Sequence, residues 1–313
     1  VNLPEIVYII TLMIPEFPDF KPIALEDRDF IQKKLWEYRP DTSELSFSNL
    51  FMWKSHYGFL CSLYRDWLFV IGDNMGNGVQ ALPPIGPPSR VDATRTLLEW
   101  IAAGKGVAEP RIDRADSRFV SELAGASGFA IEPVRDHFDY VYNTKDLIEL
   151  AGKSYRAKRN HLNYLLRTLK PVYEIMNESH IPECLTLAER WCESRTCEDD
   201  LSMEGEGDAT REALLHLGEL NLDGAVITVN GRVEAFTLGE LLNPETAVVH
   251  IEKANTEIRG LYALINQQFC EKRWKDVPAV NREQDLGEPG LRRAKLSYSP
   301  DHMVEKFQVR LVK

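Results

Sequence analysis

The sequence predicts an α+β fold of two similar units in tandem, each a mixed, largely antiparallel sheet flanked by helices. Three observations carry this. Asn230-Gly231 sits between two alternating apolar runs, the strongest short hairpin signal, because a tight two-residue turn needs positive φ at both central positions. Asn243-Pro244-Glu245 turns the chain again and adds a third strand in series, a meander with helical periodicity before and after it. The first half carries a looser version of the same order, and a basic helix joins the two.

From the N-terminus, the apolar stretch at 6–14 is too short for the roughly 20 residues that span a bilayer and lacks a basic leader. The chain begins at Val1 with Met13 twelve residues later, so residues 1–12 are expected to be an extension outside the fold, with the start at Val1 or Met13 left open. Residues 13–150 then form the first unit and 151–313 the second, which has the better-defined site. In the first unit, 25–36 has helical spacing, 46–53 is aromatic-rich, and 59–71 alternates around a turn at Arg65-Asp66. The Gly- and Asn-rich loop 72–78 lacks the Lys-Ser/Thr of a phosphate-binding P-loop and reads as a hairpin turn. Two Pro pairs precede a helix at 92–103, and 138–142 is an aromatic strand that ends the half.

Residues 144–170 read as helix with a break near Gly152. In the second half, 181–193 is a helix, 197–208 an acidic loop, and 209–221 a second helix. The meander follows at 225–230, 232–238 and 246–254, then a helix at 256–274, a strand from Val277, a short helix opened by Pro289, and a last alternating strand at 304–311.

Composition bounds the function. Hydrophobic residues make up 44% and charged residues 27% of 313, as in a soluble globular protein expected in the cytoplasm. The net charge of −11 disfavours generic nucleic-acid binding, yet residues 151–170 hold six Lys or Arg and no acid, while 183–212 hold ten acids against three Arg. Arg156, Arg159, Arg167 and Lys170 fall on one helix face, and Lys158 lies among the adjacent apolar positions, so it snorkels or points into a site. This stripe suits phosphates of a nucleic acid; its plain alternative is a solvated face. The five cysteines are scattered with no C-x-x-C, which predicts reduced thiols and no zinc set.

The element order of the second half (helix, helix, meander, helix, strand, short helix, strand) is that of GNAT acyltransferases. The blocks His250-Ile251-Glu252-Lys253-Ala254, Gly260-Leu261-Tyr262, Asn281-Arg282-Glu283-x-Asp285-Leu286-Gly287 and 290–298, with weaker support from 158–161, Glu206-x-x-Ala209 and 46–50, resemble the soluble proteins similar to the phosphatidylglycerol lysyltransferase C-terminal domain. The resemblance implies a tandem GNAT fold and kinship with Fem-type transferases, which move an aminoacyl group from aminoacyl-tRNA to an amine or hydroxyl. It implies an aminoacyl-tRNA donor and a small-molecule, peptide or lipid acceptor. The membrane members carry many transmembrane helices ahead of this domain, and no such span is read here.

No cofactor is expected. Acetyl-CoA GNATs place Arg/Gln-x-x-Gly-x-Gly/Ala after the fourth strand to hold a pyrophosphate on backbone N–H groups. The matching frame here is 257–262, with Glu257 in the basic position and Tyr262 where almost no side chain is tolerated. The candidate catalytic residues are His250, Glu252, Lys253 and Lys295. By strict alternation His250 and Glu252 share one strand face and Lys253 takes the other. Glu252 reads as a general base or amine-binding carboxylate, or as the partner of Arg282 in a salt bridge. His250 reads as catalytic or as a satisfied core histidine, and Lys295 as an oxyanion or phosphate partner or a surface lysine. Asn281, Glu283 and Asp285 alternate onto one face and, with Arg282, Glu206 and the acidic loop, could enclose a cationic amino-acid group. No metal site is read, since His250-x-Glu252 has no Pro-Cys-x-x-Cys after it. Three functions stay open: an aminoacyl-tRNA-dependent transferase, a CoA-dependent N-acyltransferase, and a non-catalytic ligand- or RNA-binding protein on the same scaffold.

Overall fold

The computed structural model describes residues 14–73, 79–193 and 201–312. The extension 1–12, most of loop 72–78 and the start of the acidic loop lie outside the described residues. Two seven-stranded sheets organise the chain. The first runs β1 (Lys21–Pro22), β2 (Phe59–Tyr64), β3 (Trp67–Gly72), β4 (Gln80–Ala81), β5 (Arg111–Asp116), β14 (Lys306–Leu311), β6 (Phe129–Pro133). The second runs β13 (His302–Val304), β7 (Asp139–Asn143), β12 (Ala279–Asn281), β11 (Thr246–Ala254), β10 (Arg232–Asn243), β9 (Asp223–Val229), β8 (Val172–Ile175). Parallel pairs β4–β5 and β11–β12 interrupt otherwise antiparallel sheets.

The helices are α1 (Arg28–Tyr38), α2 (Phe47–Met52), α3 (Lys54–Tyr57), α4 (Val91–Lys105), α5 (Ser117–Leu123), α6 (Thr144–Glu149), α7 (Arg156–Thr168), α8 (Ile181–Glu193), α9 (Leu201–Leu215), α10 (Leu261–Arg273) and α11 (Pro289–Leu296). Asn230 and Gly231 take φ of 51° and 75°, as the hairpin requires. Ser46 caps α2, accepting the Asn49 N–H at 3.1 Å. Two boundaries differ from expectation. The acidic segment belongs partly to α9, which starts at Leu201, and α10 starts later because the Asn255 side chain accepts the Glu257 N–H at 3.0 Å and forms a turn first.

The sheets exchange strands. β7, at the end of the first half in sequence, pairs with β12 and β13 of the second sheet. β14, the last strand, lies between β5 and β6 of the first. The two exchanged strands are joined by an ion pair with no solvent exposure: Lys306 Nζ lies 2.6 Å from Asp139 Oδ1 and 2.6 Å from Glu44 Oε2. Ser43 N–H and Asn281 Nδ2 complete the Asp139 carboxylate at 2.8 and 3.0 Å, so the buried charges are paired and hydrogen-bonded.

One irregularity decides the site. β10 and β11 pair Leu238 with Ile251 and Gly239 with Val249, which leaves His250 as the extra residue of a β-bulge. Only glycine fits at 239, where a Cβ would lie 2.3 Å from the Val248 carbonyl oxygen and 2.6 Å from the Trp274 ring. The bulge resets the alternation. Ala247, Val249 and Ala254 pack in one core with Leu261, Leu264 and Phe269 of α10, while Ile251 joins the other with Phe47 and Leu50 of α2.

Candidate active site between the splayed strands

β11 and β12 run parallel only from Thr246↔Ala279 to Val248↔Asn281. Beyond that point the chain after β12 stays with β7, as the Arg282 N–H donates to the Tyr140 carbonyl at 2.9 Å, and β11 continues without a parallel partner. Side chains bridge the resulting cleft on both faces.

On the face toward α2, His250 is clamped. Its Nδ1 lies 2.8 Å from Glu283 Oε1 and its Nε2 3.0 Å from Glu240 Oε1, with Ser46 Oγ at 3.4 Å. The side chain is 1% exposed. Burial pushes its pKa down, but the two carboxylates outweigh burial and hold it up at about 9, so at neutral pH it is an imidazolium. Burial raises Glu283 against the pull of His250. His250 is therefore poorly suited to act as a general base.

On the opposite face, Glu252 Oε1 meets Arg282 Nη2 at 2.9 Å and Glu252 Oε2 accepts from Asn266 Nδ2 at 3.2 Å. His250 and Glu252 thus lie on different faces. The strict alternation expected from sequence fails at the bulge. The Arg282 guanidinium lies 4.8 Å from the Tyr298 ring and 5.7 Å from that of Tyr142. Lys295, on α11, donates to the carbonyls of Arg282 and Glu283. Burial and the neighbouring Arg282 lower its pKa to about 8, the group here nearest to exchanging a proton at neutral pH.

The remaining expected residues take separate partners. Lys253, on the Ile251 side of β11, pairs with Glu206 of α9 at 2.7 Å, and its ammonium lies 3.3 Å from the centroid of the Trp191 ring. Asn281 serves the Asp139 network. Asp285 has no exposure and accepts from Arg292 at 2.7 and 2.8 Å and from Tyr140; burial opposes its charge, but Arg292 and Tyr140 hold its carboxyl well below the usual range. Glu206, Glu283 and Asp285 therefore each answer a different protein cation. On α7, Arg156 and Arg167 are exposed, but Arg159 donates to the carbonyls of Leu150 and Gly152 (2.8 Å for the latter) and ties down the loop before the helix; Lys170, expected on the same helix face, is exposed but lies beyond the end of α7, where its φ of 48° takes the chain out of the helix. Lys158 reaches α11, donating to Ser297 O at 2.8 Å and Oγ at 2.7 Å.

Among the described residues no group of three or more His, Cys, Asp or Glu could hold a metal, and no helix is long and apolar enough to cross a membrane. Cys61, Cys184 and Cys270 are free, buried, and pushed by burial to about 12, which makes them poor nucleophiles. Cys192 is disulfide-bonded, against the expectation of reduced thiols throughout.

Residues 37–310 match the family described as phosphatidylglycerol lysyltransferase, C-terminal. The chain belongs to this family. A protein of unknown function from Bacteroides thetaiotaomicron is 35% identical, with a TM-score of 0.87 over 96% of this chain and 100% of that one. L-PGS from Bacillus licheniformis shares the fold at 13% identity and a TM-score of 0.63, over 95% and 93% of the two chains. A tandem GNAT protein from the clavulanic acid biosynthesis pathway does so at 10% identity and 0.51, over 93% and 97%. The tandem GNAT expectation is met. Parts of the lysyltransferase-family blocks noted in the sequence line the cleft: His250 and Glu252 on β11, Arg282 and Glu283 after β12, and Lys295 and Tyr298 at the end of α11, whereas Lys253, Asn281 and Asp285 from the same blocks turn to other partners. Asn266, Tyr142 and Glu240 were missed. Their only signal was a polar or aromatic residue inside an otherwise apolar element.

Proposed function

We propose that this protein is an aminoacyltransferase that moves an aminoacyl group from aminoacyl-tRNA to an amine or hydroxyl acceptor. One observation carries the choice of donor: the start of α10, where an acyl-CoA pyrophosphate sits in other GNAT enzymes, is filled by protein. Gly260 has φ 97° and presses on α7, so that a Cβ there would lie 3.1 Å from the His161 carbonyl oxygen. The Tyr262 hydroxyl accepts from Trp191 Nε1 at 2.8 Å, and Glu257 adds a negative charge to the same turn. Bulk and repulsion both oppose a pyrophosphate. Calorimetric titration with acetyl-CoA is expected to show a dissociation constant weaker than about 10 μM, near −6.8 kcal/mol; tighter binding would sink this choice.

Aminoacyl transfer asks little covalent chemistry of the protein, because the donor ester is already activated. Lys295, with a pKa of about 8, is the group to take the acceptor's proton or to stabilise the oxyanion. Glu252, fixed by Arg282 and Asn266, offers a carboxylate to an ammonium group. The exposed Arg156, Arg167 and Lys170 supply cations for tRNA phosphates on a protein of net charge −11. Binding should be weak and salt-dependent. The double variant Arg156→Ala/Arg167→Ala is expected to flatten the plot of log affinity against log salt by somewhat under about two units, relative to a Lys33→Ala control. An unchanged slope makes the stripe a solvated face. The direct test is release of a labelled amino acid from aminoacyl-tRNA with candidate acceptors, lost in Lys295→Met. A non-catalytic ligand-binding reading is favoured by one observation, that His250, Glu252 and Lys253 are all engaged in ion pairs, and absence of transfer with every acceptor would bring it forward.

A further inference from the structure

The last turn of α8 carries a contact point that joins four elements. Lys253 of β11 is 4% exposed, and its ammonium lies 3.3 Å from the centroid of the Trp191 ring and 2.7 Å from Glu206 Oε1. Trp191 Nε1 donates to the Tyr262 hydroxyl at 2.8 Å. Trp191 thus ties the end of α8 to β11 and to the start of α10, and Glu206 brings in α9. Cys192, the next residue on α8, is disulfide-bonded. The chain has five cysteines, of which Cys61, Cys184 and Cys270 are free. Elimination leaves Cys197, which lies outside the described residues, as the partner.

We infer that Cys192 and Cys197 form a reversible disulfide that clamps the last turn of α8, and with it Trp191, onto Lys253 and Tyr262. Two observations favour a switch over a structural staple. A ring from 192 to 197 is short, and cross-links across short loops remove the least entropy from the unfolded chain, so the bond does little for global stability. Cys192 is also only half-buried, within reach of a thiol in solution, whereas Cys61, Cys184 and Cys270 have no exposure. Closure turns two thiols into one S–S bond. The two electrons and two protons pass to a low-molecular-weight disulfide, which leaves as two thiols by way of a mixed disulfide, and opening is the reverse. With the bond open, the end of α8, whose last carbonyls lack intrahelical donors, frays. Trp191 then leaves Lys253, which keeps Glu206, and the Tyr262 hydroxyl at the start of α10 is released. The clamp holds whether or not the protein is a transferase.

The test is iodoacetamide labelling of the native full chain after equilibration in glutathione buffers of graded ratio, read by mass spectrometry. The most oxidising buffer should give no adduct. The most reducing one should give adducts on the peptides that carry Cys192 and Cys197, with Cys61, Cys184 and Cys270 unlabelled until urea is added. Hydrogen exchange supplies the second readout. Amides of 188–193 should exchange about tenfold faster in the reduced protein, as expected of a local opening, while those of α4 keep their rate. Cys192→Ser should show the faster exchange in every buffer. A bond from Cys192 to any other cysteine, or thiols labelled even in the most oxidising buffer, overturns the pairing. A disulfide that resists the most reducing buffer, or that opens with the exchange of 188–193 unchanged, overturns the switch.

Discussion

Replacing Lys306 with Met should destabilise the protein by about 3–5 kcal/mol, the cost of leaving buried charge without its partner. Lys306 has no solvent exposure, and its ammonium serves Asp139, itself fully buried, and Glu44, each at 2.6 Å. Without the ammonium, two carboxylates face each other at a junction that no water reaches from Lys306 or Asp139. The location magnifies the effect. Lys306 lies on β14, which the C-terminus gives to the first sheet, and Asp139 lies on β7, which the first half gives to the second. The pair therefore fastens the two exchanged strands to each other. The double variant Lys306→Met/Asp139→Asn should recover part of the loss, because it removes one orphaned charge, although Glu44 remains. Urea unfolding measures both. A loss below about 1 kcal/mol for the single variant, in the range of exposed ion pairs, would mean that water enters the junction and that the strand exchange is held by its hydrogen bonds alone.

That junction was also the least legible part of the sequence. The local signals were readable where a backbone requirement selects the residue. Asn230-Gly231 marked the hairpin because both residues take positive φ, and Pro289 opened α11 because its missing N–H costs nothing in a first turn. Residues 111–133 were not resolved into β5, α5 and β6. The pattern of β5 is broken by Asp113 and Arg114, where Arg114 takes φ 60° at a bulge, so no clean alternation survives. Strand exchange leaves no local trace at all: β14 alternates like any edge or central strand, and nothing in 306–311 says that its neighbours are 111–116 and 129–133. The site shows the same division. The residues that line the cleft were found because charged groups at the end of an apolar strand need a reason. Their grouping was misread because one inserted residue at His250 moves Glu252 to the other face, and a bulge is set by its partner strand, here by Gly239 packed under Trp274. The acidic residues of α9 suggested a loop because composition outweighed helical spacing. The tertiary partner of Glu206, Lys253, lies 47 residues away.

The stability of the protein should fall as pH rises from about 7 to 10, and His250 should be the cause. Its pKa stands at about 9 in the folded chain because Glu240 and Glu283 outweigh burial, against 6.5 for an unperturbed histidine. The folded form therefore holds the proton more tightly than the unfolded form. The resulting stabilisation is fully present below about pH 6.5 and is lost as pH passes through about 9. A difference of about 2.5 units corresponds to about 3 kcal/mol. This magnitude needs no discount for solvent, since the side chain is 1% exposed. Above pH 9 the imidazole is neutral and leaves Glu240 and Glu283 on either side of it without a cation, a repulsive arrangement in the cleft. In His250→Gln the stability should be lower at pH 7 and should change much less than wild type between pH 8 and 10, because the group that titrates there is gone. Urea unfolding across the pH series gives both curves, and nitrogen chemical shifts of the labelled imidazole give the protonation state directly. An imidazole that titrates at or below pH 6.5 would mean that the two carboxylates do not both hold it. The cleft would then be bridged on this face by neutral hydrogen bonds, and His250 would return as a candidate base. If the imidazolium signal instead persists to pH 8, the His250 face of β11 serves to hold the cleft together through its ion pairs with Glu240 and Glu283, and any proton transfer in the proposed reaction is left to Lys295 on the other face.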